Sequence, residues 1–463
     1  MPFALLASGL VAVAPLRAAP GPALPTASDA AASRPVPDYD GRPGKPEPDA
    51  AWLGVPRIVL APLYLVSEFV IRRPLAFVMN AGEHEVLGTQ PIDDERGVSP
   101  TGRLDLGFRP SLGLYAFYDS VWRGRDELRL HATTWGPDWF SVAAVERVRL
   151  SDSQWIGVRG ELTHRDDWVF HGLGPESRQA DLGRYTATFV EGRLQHETRT
   201  ADRLAELRTR VGVRSTRFDP AGACCGDFAL SERVAQNRYP LPPSISDGYT
   251  VLVSRLDLAL DGRGERLPPN LPFGSDFSPP PATGAGLRAG GELATSLDAR
   301  PVFANGPDRR LQWIRYGASS SASLDLTGDQ RVVELSVEAE FARPLTGGEV
   351  PFTEQPSLGG ERLVGFLPGR LIGRSLALAG FRYTWPVWIS LDGVLSFEVG
   401  NAFGTDLDGF SLERLRSSFG AGVRSIGRPD QHFELLVGFG GETFAAGGEP
   451  ENLRFVFGWA RGF

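Results

Sequence analysis

The sequence predicts an all-β chain: a transmembrane antiparallel β-barrel of about 16 strands preceded by a short N-terminal helical or interfacial segment. Three observations lead there. From about residue 101 onward, segments that alternate apolar and polar residues are broken at regular intervals by Gly, Pro, Asn and Asp. The composition, with Gly 55, Pro 37 and only two Met in 463 residues, is that of strands and turns rather than helices. The chain also ends on LRFVFGWARGF, where Leu453, Phe455, Phe457 and Trp459 share one face. An aromatic last strand is an aggregation hazard in water but belongs on the lipid face of a closed barrel.

Residues 1–19 read as a secretory signal peptide, with an apolar run of h-region length followed by small residues. Residues 20–50 are rich in Ala, Pro and Asp and read as a disordered linker. Residues 51–100 form a periplasmic or plug segment. Its apolar stretch is interrupted by Pro56, Pro62 and Pro74 and carries Glu68, Arg72 and Arg73, so it is too broken to span a bilayer. Short helices at a membrane surface or in the barrel mouth fit it, as does an ordinary packed helix.

The barrel occupies 101–463. Strands are expected near 102–109, 112–120, 127–135, 139–150, 154–165, 184–196, 202–218, 249–261, 285–298, 309–325, 331–343, 374–386, 389–401, 416–427, 431–441 and 452–463. The clearest is RVVELSVEAEFAR, which puts Val333, Leu335, Val337, Ala339 and Phe341 on one face and Glu334, Ser336, Glu338 and Glu340 on the other. Three carboxylates on one strand face need water or partners, which a lumen provides. Long connections fall at 219–248, 262–284 and 344–373; with the N-terminal segment in the periplasm, strand parity puts the first and third outside the cell.

Other classes find little support. A net charge of −8, without an arginine or lysine stripe, gives no reason to expect nucleic-acid binding. Cys224 and Cys225 are adjacent and fit a vicinal disulfide or two loop thiols, not a metal site. The six histidines are scattered, and no G-x-S-x-G or H-E-x-x-H occurs. Asp166, His171 and Ser177 are close in sequence but flank a loop opening, so no cofactor, metal or catalytic residue is expected and the chain is read as a non-enzyme.

The third long loop and the strands after it carry a family resemblance. LGGERLVGFLPGRLIGRS, AGFRYTWPVW and FEVGNAF resemble, in order, the sixth extracellular loop and the twelfth and thirteenth strands of the BamA/TamA-type bacterial surface antigen superfamily. The resemblance covers residues 100–463 and is firmest in the last hundred. It implies an outer-membrane barrel that assembles or exports polypeptide, with outer-membrane lipids, the barrel assembly machinery and a client polypeptide as partners. The family's POTRA domains have no counterpart in residues 20–100.

It also implies site residues. Gly359, Gly360, Arg362, Val364, Gly365 and Phe366 match the loop-six motif, but Val364 stands where the family has arginine. That arginine pairs with lumen carboxylates, so Arg362 or Arg382 is expected to replace it beside Glu398, with the loop folded inward and Phe366 in the lumen. Phe457, Trp459 and Phe463 resemble the C-terminal assembly signal. A weak seam between the first and last strands is expected, loosened by Gly458 and Gly462. The alternatives are a passive or plugged pore, biased toward cations by Glu334, Glu338 and Glu340, and a structural barrel with a periplasmic partner.

Overall fold

The structure is a computed structural model that describes residues 54–65, 68–69, 91–93, 96–119, 125–200, 204–222, 224–262, 283–297, 311–326, 331–388, 391–425 and 431–461. Sixteen of its strands form one ring: β1 (Arg96–Asp105), β2 (Ser111–Asp119), β3 (Asp126–Thr134), β4 (Trp139–Ser151), β5 (Gln154–Phe170), β6 (Gly183–Arg199), β7 (Ala205–Asp219), β8 (Tyr249–Asp261), β9 (Gly284–Ser296), β10 (Gln312–Asp325), β11 (Val332–Pro344), β12 (Ser375–Trp388), β13 (Leu391–Phe403), β14 (Arg416–Ser425), β15 (Gln431–Thr443) and β16 (Pro450–Arg461). Each pairs antiparallel with the next, and β16 pairs back onto β1. A closed ring leaves no edge, which allows strands to cross lipid. No described helix is long and apolar enough to do so.

Side-chain alternation sorts the two faces as the sequence suggests. On β11, Leu335 and Val337 are each 58% exposed on the outside, and the intervening glutamates point inward. The same outward exposure recurs at Leu114, Val158, Leu194, Leu256 and Phe397 around the ring. In water this belt would be a large apolar patch; against acyl chains it is the solvated surface.

The strand boundaries depart most from the sequence expectation at β1 and β5. β1 begins at Arg96, six residues before the expected 102, and ends at Asp105, because Gly107 turns the chain at φ 103°. Pro100 hid its start: a proline argues against an inner strand, but this one lies where β1 has no partner on its far side. β5 and β6 run on to Phe170 and back from Gly183, because above the lipid belt the ladder persists without apolar alternation. β16 starts at Pro450, while Gly462 and Phe463 lie outside the described residues, as does the signal and linker region of residues 1–50.

Two loops fold over one end of the barrel. Loop 220–248, with α3 (Leu230–Ala235) and the Cys224–Cys225 disulfide, packs Leu230, Tyr239 and Ile245 against Phe170 and Tyr185. Loop six, residues 345–374, adds Phe352 to that cluster, with ring centroids 5.3 Å from Phe170 and 5.4 Å from Tyr185. At the opposite end, α1 (Gly54–Val59) and α2 (Ala61–Leu65) dock on the β10–β11 turn: the Arg57 Nε donates to the Leu326 carbonyl at 2.6 Å. A buried Glu68–Arg331 pair at 2.7 Å holds the chain just beyond α2.

A charge placed on the outward face tests the inside–outside assignment. Val337→Arg is expected to lower folding stability in lipid by ~2–4 kcal/mol, read as a fall in the heat-modifiable folded band in vesicles, whereas Val337→Leu leaves it unchanged.

Candidate functional site: the loop-six plug and the β1–β16 seam

Loop six dips into the lumen as a narrow hairpin, Ser357–Leu358 pairing with Leu371–Ile372. Its tip is a series of tight turns in which Gly359 (φ 113°) and Gly360 (φ 83°) take conformations other residues rarely adopt. A side chain on Gly359 would strike the Leu367 carbonyl. The backbone closes on itself through Gly359 N–H to the Arg362 carbonyl (2.7 Å) and Gly360 N–H to the Phe366 carbonyl (2.8 Å).

The tip rests on bare backbone. Gly420 on β14 and Gly438 and Gly440 on β15 all face the lumen. A Cβ on Gly438 would lie 2.6 Å from the Val364 carbonyl, one on Gly440 2.7 Å from the Phe366 ring, and one on Gly420 inside the Val364 side chain. This three-glycine cradle lets Gly365 lie against the backbone at Phe439 and Gly440, with Phe366 and Leu363 fully buried. Val364 packs against Leu436 and Val456.

The position expected to carry a cation is resolved differently. Glu398 accepts the Val364 backbone N–H at 3.0 Å, and Ser418 Oγ accepts that of Gly365 at 2.8 Å. Neither Arg362 nor Arg382 forms an ion pair with Glu398 among the described residues. Arg362 turns to β11, reaching Glu338 at 2.5 Å and Glu340 at 3.1 Å, and donates to the Ser357 carbonyl at 2.8 Å. Arg382 stands opposite Glu334 in the β11–β12 register. Glu334, Glu338 and Glu340 line the lumen, and two of them are ion-paired, Glu338 with Arg362 and Glu340 with Arg362 and with Arg315 at 3.3 Å.

The cation at the tip comes from β16. Arg454, almost fully buried, donates from Nη1 to the Gly360 carbonyl at 2.7 Å and, more weakly, to that of Val364 at 3.3 Å. Its Nε and Nη2 grip Asp105 of β1 at 2.9 and 2.7 Å, a bidentate pair across the seam. The seam ladder itself is short. Among the described residues, Val456–Asp105, Phe457–Leu104 and Gly458–Arg103 are the strand pairs in register, continued by one hydrogen bond from the Leu106 N–H to the Phe455 carbonyl at 3.0 Å, whereas β15 and β16 pair from Gln431–Arg461 to Gly440–Asn452. Gly458 bends there at φ 137°, and a Cβ on it would strike the Gly102 carbonyl. Phe457 faces outward, 44% exposed, and Trp459 lies opposite Phe433.

A second knot ties loop six to its neighbours. Arg370, buried, reaches Ser177 Oγ at 2.9 Å and Glu451 at 3.1 Å, and Arg416 reaches the same Glu451 at 2.8 Å and the Ser177 carbonyl at 2.8 Å. Ser177 is thus occupied, Asp166 pairs with Arg109, and the His171 ring nitrogens have no hydrogen-bond partner among the described residues, so these three residues are not joined in a relay. Burial, reinforced by Arg370, Arg184 and Arg416, holds His171 well below the ordinary histidine range. No group of metal-ligating side chains occurs among the described residues.

Alternation along the strand put Glu398 on the lumen side, where it is found, but Arg454, Asp105, Ser418 and the glycine cradle were missed. The available signal was small residues recurring at lumen parity, Gly438 and Gly440, in an otherwise bulky strand.

No protein-family model matches the chain, and no curated protein matches it. Among solved structures it is similar to BamA from Haemophilus ducreyi lacking POTRA domains 1–3, with 15% identity, a TM-score of 0.49 and coverage of 79% of this chain and 70% of that one. CdiB from Escherichia coli gives 11% identity and a TM-score of 0.48, over 81% of this chain and 64% of that one. CdiB from Acinetobacter baumannii gives 9% and 0.47, over 81% and 60%. This chain therefore spans less than two thirds of either CdiB. The barrel stands on its own hydrogen-bonded ring, and likenesses this distant add no argument about activity.

Two outcomes test the plug. Gly440→Val overpacks the cradle by ~1–3 kcal/mol and should expel the tip, seen as new tryptic cleavage at Arg362 and Arg370 in an otherwise intact barrel. For His171, whose folded pKa is lowered, the stabilisation is present above the unfolded value and lost as pH falls below it. Thermal stability in detergent should therefore drop by up to ~1.4 kcal/mol per pH unit below about 6.5, and His171→Gln should flatten that slope.

Proposed function

We propose that this chain is an outer-membrane barrel that inserts or exports polypeptide by parting β1 from β16, without bond-making or bond-breaking chemistry. The observation that carries the reading is the three-pair seam at Gly458, set in a ring whose other ladders run most of a strand length. Breaking so few backbone hydrogen bonds exposes the edges of β1 and β16. An exposed edge templates an incoming strand, which is β-augmentation turned to transport. The inward loop supports the same reading, because Arg454 joins its tip to the seam, so parting the strands and moving the plug are coupled. Outer-membrane lipids, the barrel assembly machinery and a client polypeptide are the partners this function requires.

A second reading, a plugged pore, is favoured by the dry aromatic cluster with which loop six and loop 220–248 cover one end of the lumen. The two part in one experiment. Leu104 and Phe457 are register partners across the seam, at a separation suited to a disulfide. In the Leu104→Cys/Phe457→Cys variant, oxidation is expected to abolish insertion of an unfolded barrel client into liposomes, and reduction to restore it. Ion conductance unchanged by oxidation, with no client insertion by the unlocked protein, would leave the pore.

A further inference from the structure

Beneath the plug tip the lumen keeps an open cavity of about 680 Å³ that neither the seam nor the plug contacts account for. Six arginines line it: Arg103, Arg288, Arg382 and Arg424 on the wall, Arg362 and Arg454 toward the tip. Four carboxylates face it, Asp261, Glu334, Glu338 and Glu361. Glu338 is engaged by Arg362. Arg454 is engaged by Asp105, which lies outside the cavity wall. Arg103 and Arg424 share one carboxylate, Glu434, at 2.9 and 3.7 Å.

Arg382 forms no ion pair or hydrogen bond among the described residues, although it stands opposite Glu334 in register and near enough to Glu398 for their charges to interact. The wall beside it is hydroxylic: Ser336 pairs in register with Ser321 on one side and Gly380 on the other, and Ser319 and Ser321 also line the space. Gly380 keeps the wall recessed, since a Cβ there would come within 2.8 Å of Ser336 Oγ. A confined space onto which planar guanidinium forks and serine hydroxyls converge is chemically suited to a tetrahedral oxyanion.

We propose that this cavity is an oxyanion site for a phosphate group, held by Arg382 with Arg424, Arg103 and the Ser319/Ser321/Ser336 hydroxyls. Two sources offer that chemistry: a free phosphate in the lumen, or a phospholipid headgroup entering beside β1 at residues 98–102, between the seam pairs and the pairing of Pro91–Asp93 with Arg96 and Gly97. The site does not depend on the chain's moving polypeptide.

Calorimetric titration of the full chain in detergent tests it, with sodium pyrophosphate and short-chain phosphatidylglycerol as probes. Saturable one-to-one binding is expected for at least one of them. Affinity should fall about tenfold in Arg382→Gln, a loss of ~1.4 kcal/mol, persist in Arg382→Lys and be unchanged in Arg343→Gln, whose guanidinium is exposed and paired with Asp406. Binding of pyrophosphate assigns the free anion; binding of phosphatidylglycerol alone assigns the headgroup. If Arg382→Gln loses its heat-modifiable band, Arg424→Gln takes its place with the same expected loss. Absence of saturable binding to the unaltered protein by both probes, or equal affinity in the glutamine variant, overturns the proposal.

Discussion

A barrel must close between the two ends of its own chain, and here that closing ladder is three residue pairs long. Pro100 cannot donate to it and its register runs no further than Gly458, so backbone hydrogen bonding cannot hold the ring shut along its length. Side chains take over. Arg454 and Asp105 join the last strand to the first, and Arg103 reaches Glu434 on β15 across the same gap. Because Arg454 also holds two carbonyls of loop six, the closure of the ring and the seating of the plug rest on one guanidinium.

The plug is otherwise held by steric fit. Its tip carries no charge into the cradle; it offers backbone N–H groups to Glu398 and Ser418 and a phenyl ring to the space left by Gly440. Valine at 364 suits this arrangement, since its side chain fills the hollow over Gly420, and a longer charged side chain would need room that hollow lacks. Farther up the loop, Arg370, Arg416 and Glu451 form a buried ionic knot. Such a knot adds little net stability against its desolvation cost, but it penalises any placement of the loop that leaves one member unpaired. Loop six is thereby specified in position more than it is strengthened.

The lumen shows the same division. Its carboxylates read in isolation suggest an acidic channel, yet arginines on the same strand, on neighbouring strands and across to loop six meet them: Arg208 on Glu206 and Glu197, Arg315 on Glu340, and Arg214 on Glu191 and on Glu354 of the loop. Alternation along a strand says which way a charge points. It does not say what stands across the lumen.

The sequence by itself determined the fold class, the number of strands and most of their positions, because a lipid-facing strand must be apolar at every second residue and that period is written locally. It also carried Glu398 to the lumen, by parity alone. Where lipid contact ends, the period ends with it, which is why β5 was underestimated beyond Arg165 and β1 was hidden by Pro100. Only the tertiary structure decided that Val364 presents its backbone to Glu398, that Arg362 serves Glu338 and Glu340 instead, and that the cation at the plug tip is Arg454. Those choices depend on distances between residues 22 to 349 positions apart, set by the register of the whole ring. No local pattern encodes such distances until the ring closes.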